Sequence, residues 1–353
     1  MKKIRVAVIG CGTIANSAHL PNYAANPKAE LVTVCDIIPE RAEAAMQKYG
    51  AKKMTLDYMD VVNDPEIDAV SICVHNWLHA PMAIAFLKAG KNVLCEKPAA
   101  VSYKLMQDMQ AAAVASGKIL NIGVVNRFNT AVNHIKDMID AGELGKVYHV
   151  YGSFRSHRSI PGLGGQFTTK ATAGGGVLID WGVHFIDLIM YCIGVPAPLS
   201  VSGQAHSELG KDMEKYVFTD MWAGPPDYSG TYDVEDFITG FVRTAGPTIT
   251  INGAWAQNIG ESAMFIEFLG DKGGVKLQYG GGFTFYTTKN GMLVEEKPVF
   301  QTKDMFATEL DMFLDSAATG EKNRGHIDHV MATGHIMDAL YQSSCEGREV
   351  VLS

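Results

Sequence analysis

Ile4-Arg5-Val6-Ala7-Val8-Ile9-Gly10-Cys11-Gly12-Thr13-Ile14-Ala15 decides how this chain is read. An apolar, β-branched run stops at a glycine, and the stretch Ile14 to Ala25 behind it has a helical make-up. That strand, turn and helix supply the setting a Gly-x-Gly-x-x-Ala fingerprint requires. Gly10 permits a tight turn, Gly12 lets a pyrophosphate approach the backbone, and Ala15 keeps helix and strand close. The helix N-terminus then offers N–H groups and the positive end of its dipole to phosphate. Gly10, Cys11, Gly12, Thr13 and Ile14 are the expected contacts.

The same alternation continues outward from this motif. Leu31 to Cys35, Ala69 to Val74, Asn92 to Cys95 and Ile119 to Gly123 read as strands, separated by helices over Pro39 to Tyr49, Pro81 to Ala89 and Ser102 to Ser116. Alternating β and α units predict an α/β Rossmann domain, a parallel doubly wound sheet, over residues 1–125. Asp36 ends the second strand 21 residues beyond Ala15, where a carboxylate accepts hydrogen bonds from adenosine ribose hydroxyls. It also suits a helix cap before Pro39. Ile37 and Ile38 follow with no arginine to neutralise a 2′-phosphate, so NAD is favoured over NADP, although Arg41 lies one turn further on.

After Asn126 strands predominate: Val147 to Arg155, Pro198 to Ala205, Asp236 to Arg243, Thr248 to Trp255, Ser262 to Leu269, Gly274 to Tyr279 and Phe283 to Thr288. Short turns between them predict a large, mostly antiparallel open sheet in an α+β domain over residues 126–353. Its helices are expected at Thr130 to Ala141, Gly175 to Ile193, Phe306 to Ala318 and Ile327 to Ser344.

Composition bounds the function. The 353 residues are 47% hydrophobic and 19% charged, with a net charge of −8, as in an ordinary soluble globular protein. No basic stripe invites nucleic acid. No stretch reaches the roughly 18 apolar residues of a membrane span. The start, Met1-Lys2-Lys3 and the apolar run after it, lacks a leader's cleavage site. None of the six cysteines forms a Cys-x-x-Cys pair, and Cys35, Cys73 and Cys95 fall in buried strands, which suggests a reduced, cytoplasmic setting. His326, His329 and His335 lack carboxylates at ligand spacing, so no metal site is read there.

Glu96-Lys97-Pro98 closes the fourth of these strands, and Gly174-Gly175-Gly176-Val177-Leu178-Ile179-Asp180-Trp181-Gly182-Val183-His184 stands in the second half. With the glycine fingerprint upstream, the chain resembles the Gfo/Idh/MocA oxidoreductases, the family of glucose–fructose oxidoreductase and inositol dehydrogenase. The resemblance spans the whole chain. It implies that His184 is the base on a secondary hydroxyl, Lys97 a proton relay and electrostatic support, and Asp180 the orienter and a substrate contact. Local chemistry agrees, since Asp180 and His184, four apart on a helix, share one face. The glycine run before them reads as a flexible loop or as a close approach of substrate to backbone.

By the same resemblance Val74, Asn76 and His79 line the cofactor site beside Glu96 and Lys97, although His75 stands where relatives commonly have proline. Arg127 lies near nicotinamide or substrate, or else forms an ion pair where the domains meet. The basic, glycine-rich loop from Ser156 to Lys170 borders the expected substrate pocket. Arg155, His157, Arg158 and Lys170 are donors there, or solvated and interface charges. Trp222 and Tyr228, between Lys211 and Tyr232, suit sugar stacking or interface packing. The expected activity is NAD-dependent oxidation of a sugar, glycoside or cyclitol by a homodimer or homotetramer. Its competitors are transient ring oxidation by firmly held NAD during glycosidic cleavage, and a non-catalytic NAD-binding sensor.

Overall fold

Six short apolar runs build the first sheet: β1 (Ile4–Ile9), β2 (Ala29–Cys35), β3 (Lys53–Thr55), β4 (Ala69–Ile72), β5 (Asn92–Glu96) and β6 (Leu120–Gly123). In the computed structural model, which describes residues 3–352, they lie in the order β3-β2-β1-β4-β5-β6 with every neighbour parallel. Met1 and Lys2, which open the stretch tested as a leader, and Ser353 lie outside the described residues. Strand order reverses at β1, and ligands of such sheets bind beyond the carboxyl ends at that point. The register shows what is there. Ile9 sits opposite Cys35 and Ile72, Ile72 opposite Cys95, and Glu96 opposite Gly123. Gly10, Asp36, Cys73 and Lys97 therefore leave the sheet along one edge.

The helix Pro39–Tyr49 ends at Gly50 and the helix Tyr103–Ser116 at Gly117, both glycines left-handed. Ser102 caps the second of these through the Leu105 N–H, a bond worth about 1 kcal/mol. Neither β3 nor the helix Tyr58–Asn63 was expected in this unit; both are short, with Val61 the one buried residue between them, and little periodicity marks them. The helix after β4 runs Asn76–Lys88, so Pro81 lies inside it and does not open it. The segment behind the glycine turn is a π-helix, Ala15–His19, continued by the α-helix Leu20–Ala25.

The chain divides into two compact units, and the division is not the linear one expected at residue 125. Residues up to Phe128 are joined by Lys303–Met331, and the second unit holds Asn129–Thr302 and the chain from Ala332. The helix Met305–Thr319 buries Leu310, Phe313 and Leu314 against Val6, Val8, Ala15, Leu20 and Tyr23, on the sheet face that the first helices cover. Ile327 and Val330 join the core on the other face with Ile72, Val93 and Phe86. A late segment thus completes the first unit, which a pass along the chain assigns to the second.

The second unit is a nine-stranded sheet of β7 (Val147–Arg155), β8 (Pro198–His206), β9 (Phe237–Thr244), β10 (Thr248–Ala254), β11 (Ala263–Gly270), β12 (Gly273–Gln278), β13 (Phe283–Lys289), β14 (Met292–Glu296) and β15 (Val350–Val351). The order is β14-β13-β12-β11-β7-β10-β9-β8-β15, antiparallel throughout except where β7 and β10 run parallel. One face of β7 meets the helix Val183–Cys192, with Phe154 and Phe185 ring centroids 5.0 Å apart and Ile189 over Gly152. The other carries Tyr151, Ser153 and Arg155 beside Asn252, Phe265 and Glu267 in a shallow pocket. The stretch Lys170–Cys192 is long and apolar enough to cross a membrane, contrary to expectation; 83% of its most apolar 18-residue window is buried, as befits a core helix.

Candidate functional site

At the glycine turn of the first unit, Gly10 has φ +89°, and a Cβ there would stand 2.3 Å from the Cys73 carbonyl oxygen. Among the described residues, no atom lies within 4 Å of the Cβ position at Gly12. Ala15 is fully buried. Two positions of the fingerprint are filled by packing and one faces open space, which is the arrangement a pyrophosphate against the backbone needs. The loop fits a dinucleotide.

Asp36 ties this loop to the end of β2. Its Oδ2 accepts the Cys11 N–H at 2.7 Å and its Oδ1 the Ile38 N–H at 2.9 Å. The carboxylate thereby braces the turn before the helix Pro39–Tyr49, and a carboxylate carries lone pairs beyond these two bonds. Ile37 is 84% exposed, and Arg41 is exposed one turn on. Burial, then the Asp36 charge, push the Cys11 thiol up to about 12, so it stays protonated at neutral pH.

Behind Lys97 runs a buried polar chain that the sequence did not suggest. Tyr23 Oη lies 2.7 Å from Ser71 Oγ, Ser71 Oγ 3.2 Å from His19 Nδ1, and His19 Nε2 2.8 Å from Glu96 Oε1. Glu96 Oε2 then accepts the backbone N–H of Lys97 at 3.1 Å, ahead of a cis Lys97–Pro98 peptide. Burial alone would raise the Glu96 carboxyl, but the His19 bond and the charges of His19 and Lys97 outweigh it and hold the group below its usual range. The one available signal was the place of His19, four residues after Ala15 on the glycine-motif helix.

His79 is buried at the turn after β4. Its ring is 1% exposed, with Nδ1 2.7 Å from the Pro98 carbonyl oxygen and Nε2 3.0 Å from that of Val74. It joins the turn after β4 to the stretch behind Lys97, and burial lowers its pKa. Val74 and Asn76 stand half-buried on that turn, and His75 is exposed. Arg127 is buried and donates to the carbonyls of Arg324 and His329, each at 2.8 Å, so its guanidinium braces the returning segment.

In the second unit Asp180 sits in a π-helical turn, Leu178–Gly182, that leads into the helix bearing His184. Asp180 is buried and His184 half-buried. The glycine run before them lies outside the helix and has an occupant. A Cβ at Gly175 would fall 2.0 Å from Tyr341 Oη, and one at Gly176 1.9 Å from the Glu235 carbonyl oxygen. The run admits protein groups, where the sequence suggested a flexible loop or substrate.

The basic residues of the neighbouring loop do not converge. Arg155 lies on the sheet face opposite the Val183–Cys192 helix, its Nε donating to Ser153 Oγ at 3.2 Å, because side chains alternate along β7. Arg158 is taken up by the Gln257 carbonyl and Asn258. His157 and Lys170 are exposed. The loop is laced to the irregular segment beyond it by Ala223 N–H to Pro161 O and Asp227 N–H to Leu163 O, and Trp222 stands edge-on to Phe167.

The oxidoreductase family model GFO/IDH/MocA, described as an NAD-binding Rossmann fold, matches residues 4–124, and the model of the GFO/IDH/MocA C-terminal domain matches residues 132–276. The chain is 33% identical over 293 residues to D-glucoside 3-dehydrogenase of Escherichia coli (strain K12), spanning 82% of this chain and 81% of that one. It is 29% identical over 324 residues to scyllo-inositol 2-dehydrogenase (NAD(+)) of Bacillus subtilis (strain 168), spanning 90% and 87%. In fold it is similar to levoglucosan dehydrogenase solved with NADH and levoglucosan, with a TM-score of 0.87 at 21% identity and 99% of each chain covered. Both units are matched in order, and the chain belongs to the GFO/IDH/MocA oxidoreductase family.

Proposed function

We propose that this protein oxidises a secondary hydroxyl of a sugar, glycoside or cyclitol, with Lys97, Asp180 and His184 at the reacting carbinol. The observation that carries this is the glycine turn with open space at Gly12, in a chain 33% identical to a named glucoside dehydrogenase. Bound NAD would supply the hydride acceptor at its nicotinamide ring. Gly10, Cys11, Gly12, Thr13 and Ile14 would hold its pyrophosphate and Asp36 its ribose, with Val74, Asn76, Glu96 and Lys97 toward the nicotinamide. His184 takes the hydroxyl proton, and Asp180 orients the imidazole and favours its protonated form. The Lys97 ammonium stabilises the negative charge developing on the same oxygen and relays the proton outward. Glu96 fixes the Lys97 backbone through its N–H.

The nearest alternative, transient ring oxidation coupled to glycosidic cleavage, differs in cofactor balance. Purified protein is offered NAD with methyl D-glucosides, myo-inositol or levoglucosan. One NADH per molecule of substrate oxidised is expected; a cleaved glycosidic bond with no net NADH would sink simple dehydrogenation. We also propose a homodimer or homotetramer formed through the sheet face bearing Tyr151 and Phe265. Light scattering should give a multiple of the chain mass, and a monomer at micromolar concentration would contradict it.

A further inference from the structure

We infer that Glu235 is a positioning residue for Asp180 and His184, an inference that rests on the catalytic role proposed for those two. The first N–H groups of a helix have no partner within it, and side chains close before the helix in sequence usually supply one or two acceptors. The helical stretch that carries Asp180 has no side-chain cap of its own. Three successive N–H groups at its start end on one residue, Glu235, 57 to 59 positions away. Gly176 N–H donates to Glu235 Oε2 at 2.9 Å, Val177 N–H to the Glu235 carbonyl at 3.2 Å, and Leu178 N–H to Oε1 at 3.0 Å. A cap made by the residue before a helix moves with the helix. This one, projecting from a different segment, fixes the helix against the entry to β9.

Three further features leave the clamp little slack. Tyr341 Oη donates to Glu235 Oε1 at 2.8 Å and packs where a Gly175 side chain would be, so a second helix braces the same carboxylate. Glu235 itself is pinned by its neighbours. Asp233 accepts the Lys170 N–H at 2.6 Å, and Asp236 accepts the N–H groups of Leu209 and Gly210 at 2.7 and 2.8 Å. Finally, the Asp180 N–H closes on the Gly176 carbonyl at 3.0 Å, so the turn that aims Asp180 is the turn Glu235 holds. His184 follows one turn later. A slip of this helix start displaces both side chains together.

Glu235→Gln keeps the shape and loses one acceptor, replacing it with an NH2 group that faces a backbone N–H. The test measures kcat, KM and the primary isotope effect on the fastest substrate of the panel above, in carbinol-protiated and deuterated forms. The expected result is a folded, NAD-binding protein with kcat lowered roughly 10- to 100-fold, KM little changed and a larger isotope effect, because misplaced groups slow hydride transfer itself. A purely structural role lowers the melting temperature and leaves isotope effect and kcat per NAD-binding site unmoved; that result overturns the inference. His184→Asn in the same assay separates the two layers. If it abolishes turnover while Glu235→Gln does not, positioning fails and the catalytic assignment stands; if it turns over like the parent, both fall. Should Glu235→Gln fail to fold, Tyr341→Phe keeps all three Glu235 acceptors for the backbone N–H groups, and its isotope effect must rise by a smaller amount or the inference is wrong.

Discussion

Each unit opens a helix behind a glycine-rich turn, and the two turns have different occupants. At Gly12 the space beside the backbone is open, and Asp36 braces the loop through the Cys11 N–H. At Gly175 and Gly176 the space is filled by Tyr341 and Glu235, and the N–H groups that might have met a ligand are bound to Glu235. Local sequence does not separate these cases. The difference lies in residues distant along the chain, which fill the space at Gly175 and Gly176 and leave it open at Gly12. A glycine before a helix therefore marks a close approach without saying what approaches.

Substitution at the two turns should break the likeness in opposite ways. Gly176→Ala drives a methyl onto the Glu235 carbonyl, a backbone atom that cannot step aside, and should cost about 3 kcal/mol or more in thermal unfolding. A melting temperature equal to the parent's would mean the close approach is not there. Gly12→Ala meets nothing in the protein, so its unfolding should shift by less than about 1 kcal/mol. Its affinity for NAD should fall roughly 10- to 100-fold by calorimetry, since the methyl takes pyrophosphate space. Tight binding by that variant would show the phosphates lie elsewhere.

Smaller effects sharpen the contrast between the two buried carboxylates. Tyr341→Phe removes one donor from Glu235 and should cost about 1.5 kcal/mol. Acid should act on the pair with opposite sign. The Glu96 carboxyl is held below its ordinary 4.5, burial being outweighed by His19, so its stabilisation is present above that value and is lost as pH falls through the folded pKa. The Glu235 carboxyl is raised by burial despite its N–H bonds, so its contribution is largest below 4.5 and is lost as pH rises through the folded pKa. Denaturant titrations should then show His19→Gln flattening the acid limb and Glu235→Gln removing the opposing slope, each by at most about 1.4 kcal/mol per pH unit. Identical pH profiles in both variants would refute this pairing of charges.

The regular parts of the fold were legible because their periodicity is local. β1, β7 and the helix Pro39–Tyr49 have the bounds expected from apolar runs, proline and glycine. β14 was not legible, an exposed edge strand with no buried face to leave a pattern. The return of Lys303–Met331 to the first sheet, the His19–Glu96 pair and the Glu235 clamp depend on pairings far apart in sequence, which no window contains. Arg155 could have been placed, since period two along β7 puts it opposite Phe154 once that residue is taken as core. Around the proposed Lys97, Asp180 and His184, sequence did not show the groups that hold the backbone: Glu96 with His19 behind Lys97, and Glu235 with Tyr341 at the turn bearing Asp180.

The most direct test is Lys97→Ala, assayed for NADH formation and for NAD affinity on the same preparation. The account predicts that kcat falls by roughly 100- to 10,000-fold, the range for loss of a proton-transfer and charge-stabilising group, while the dissociation constant for NAD stays within a few-fold of the parent's. An unchanged rate of oxidation would contradict it.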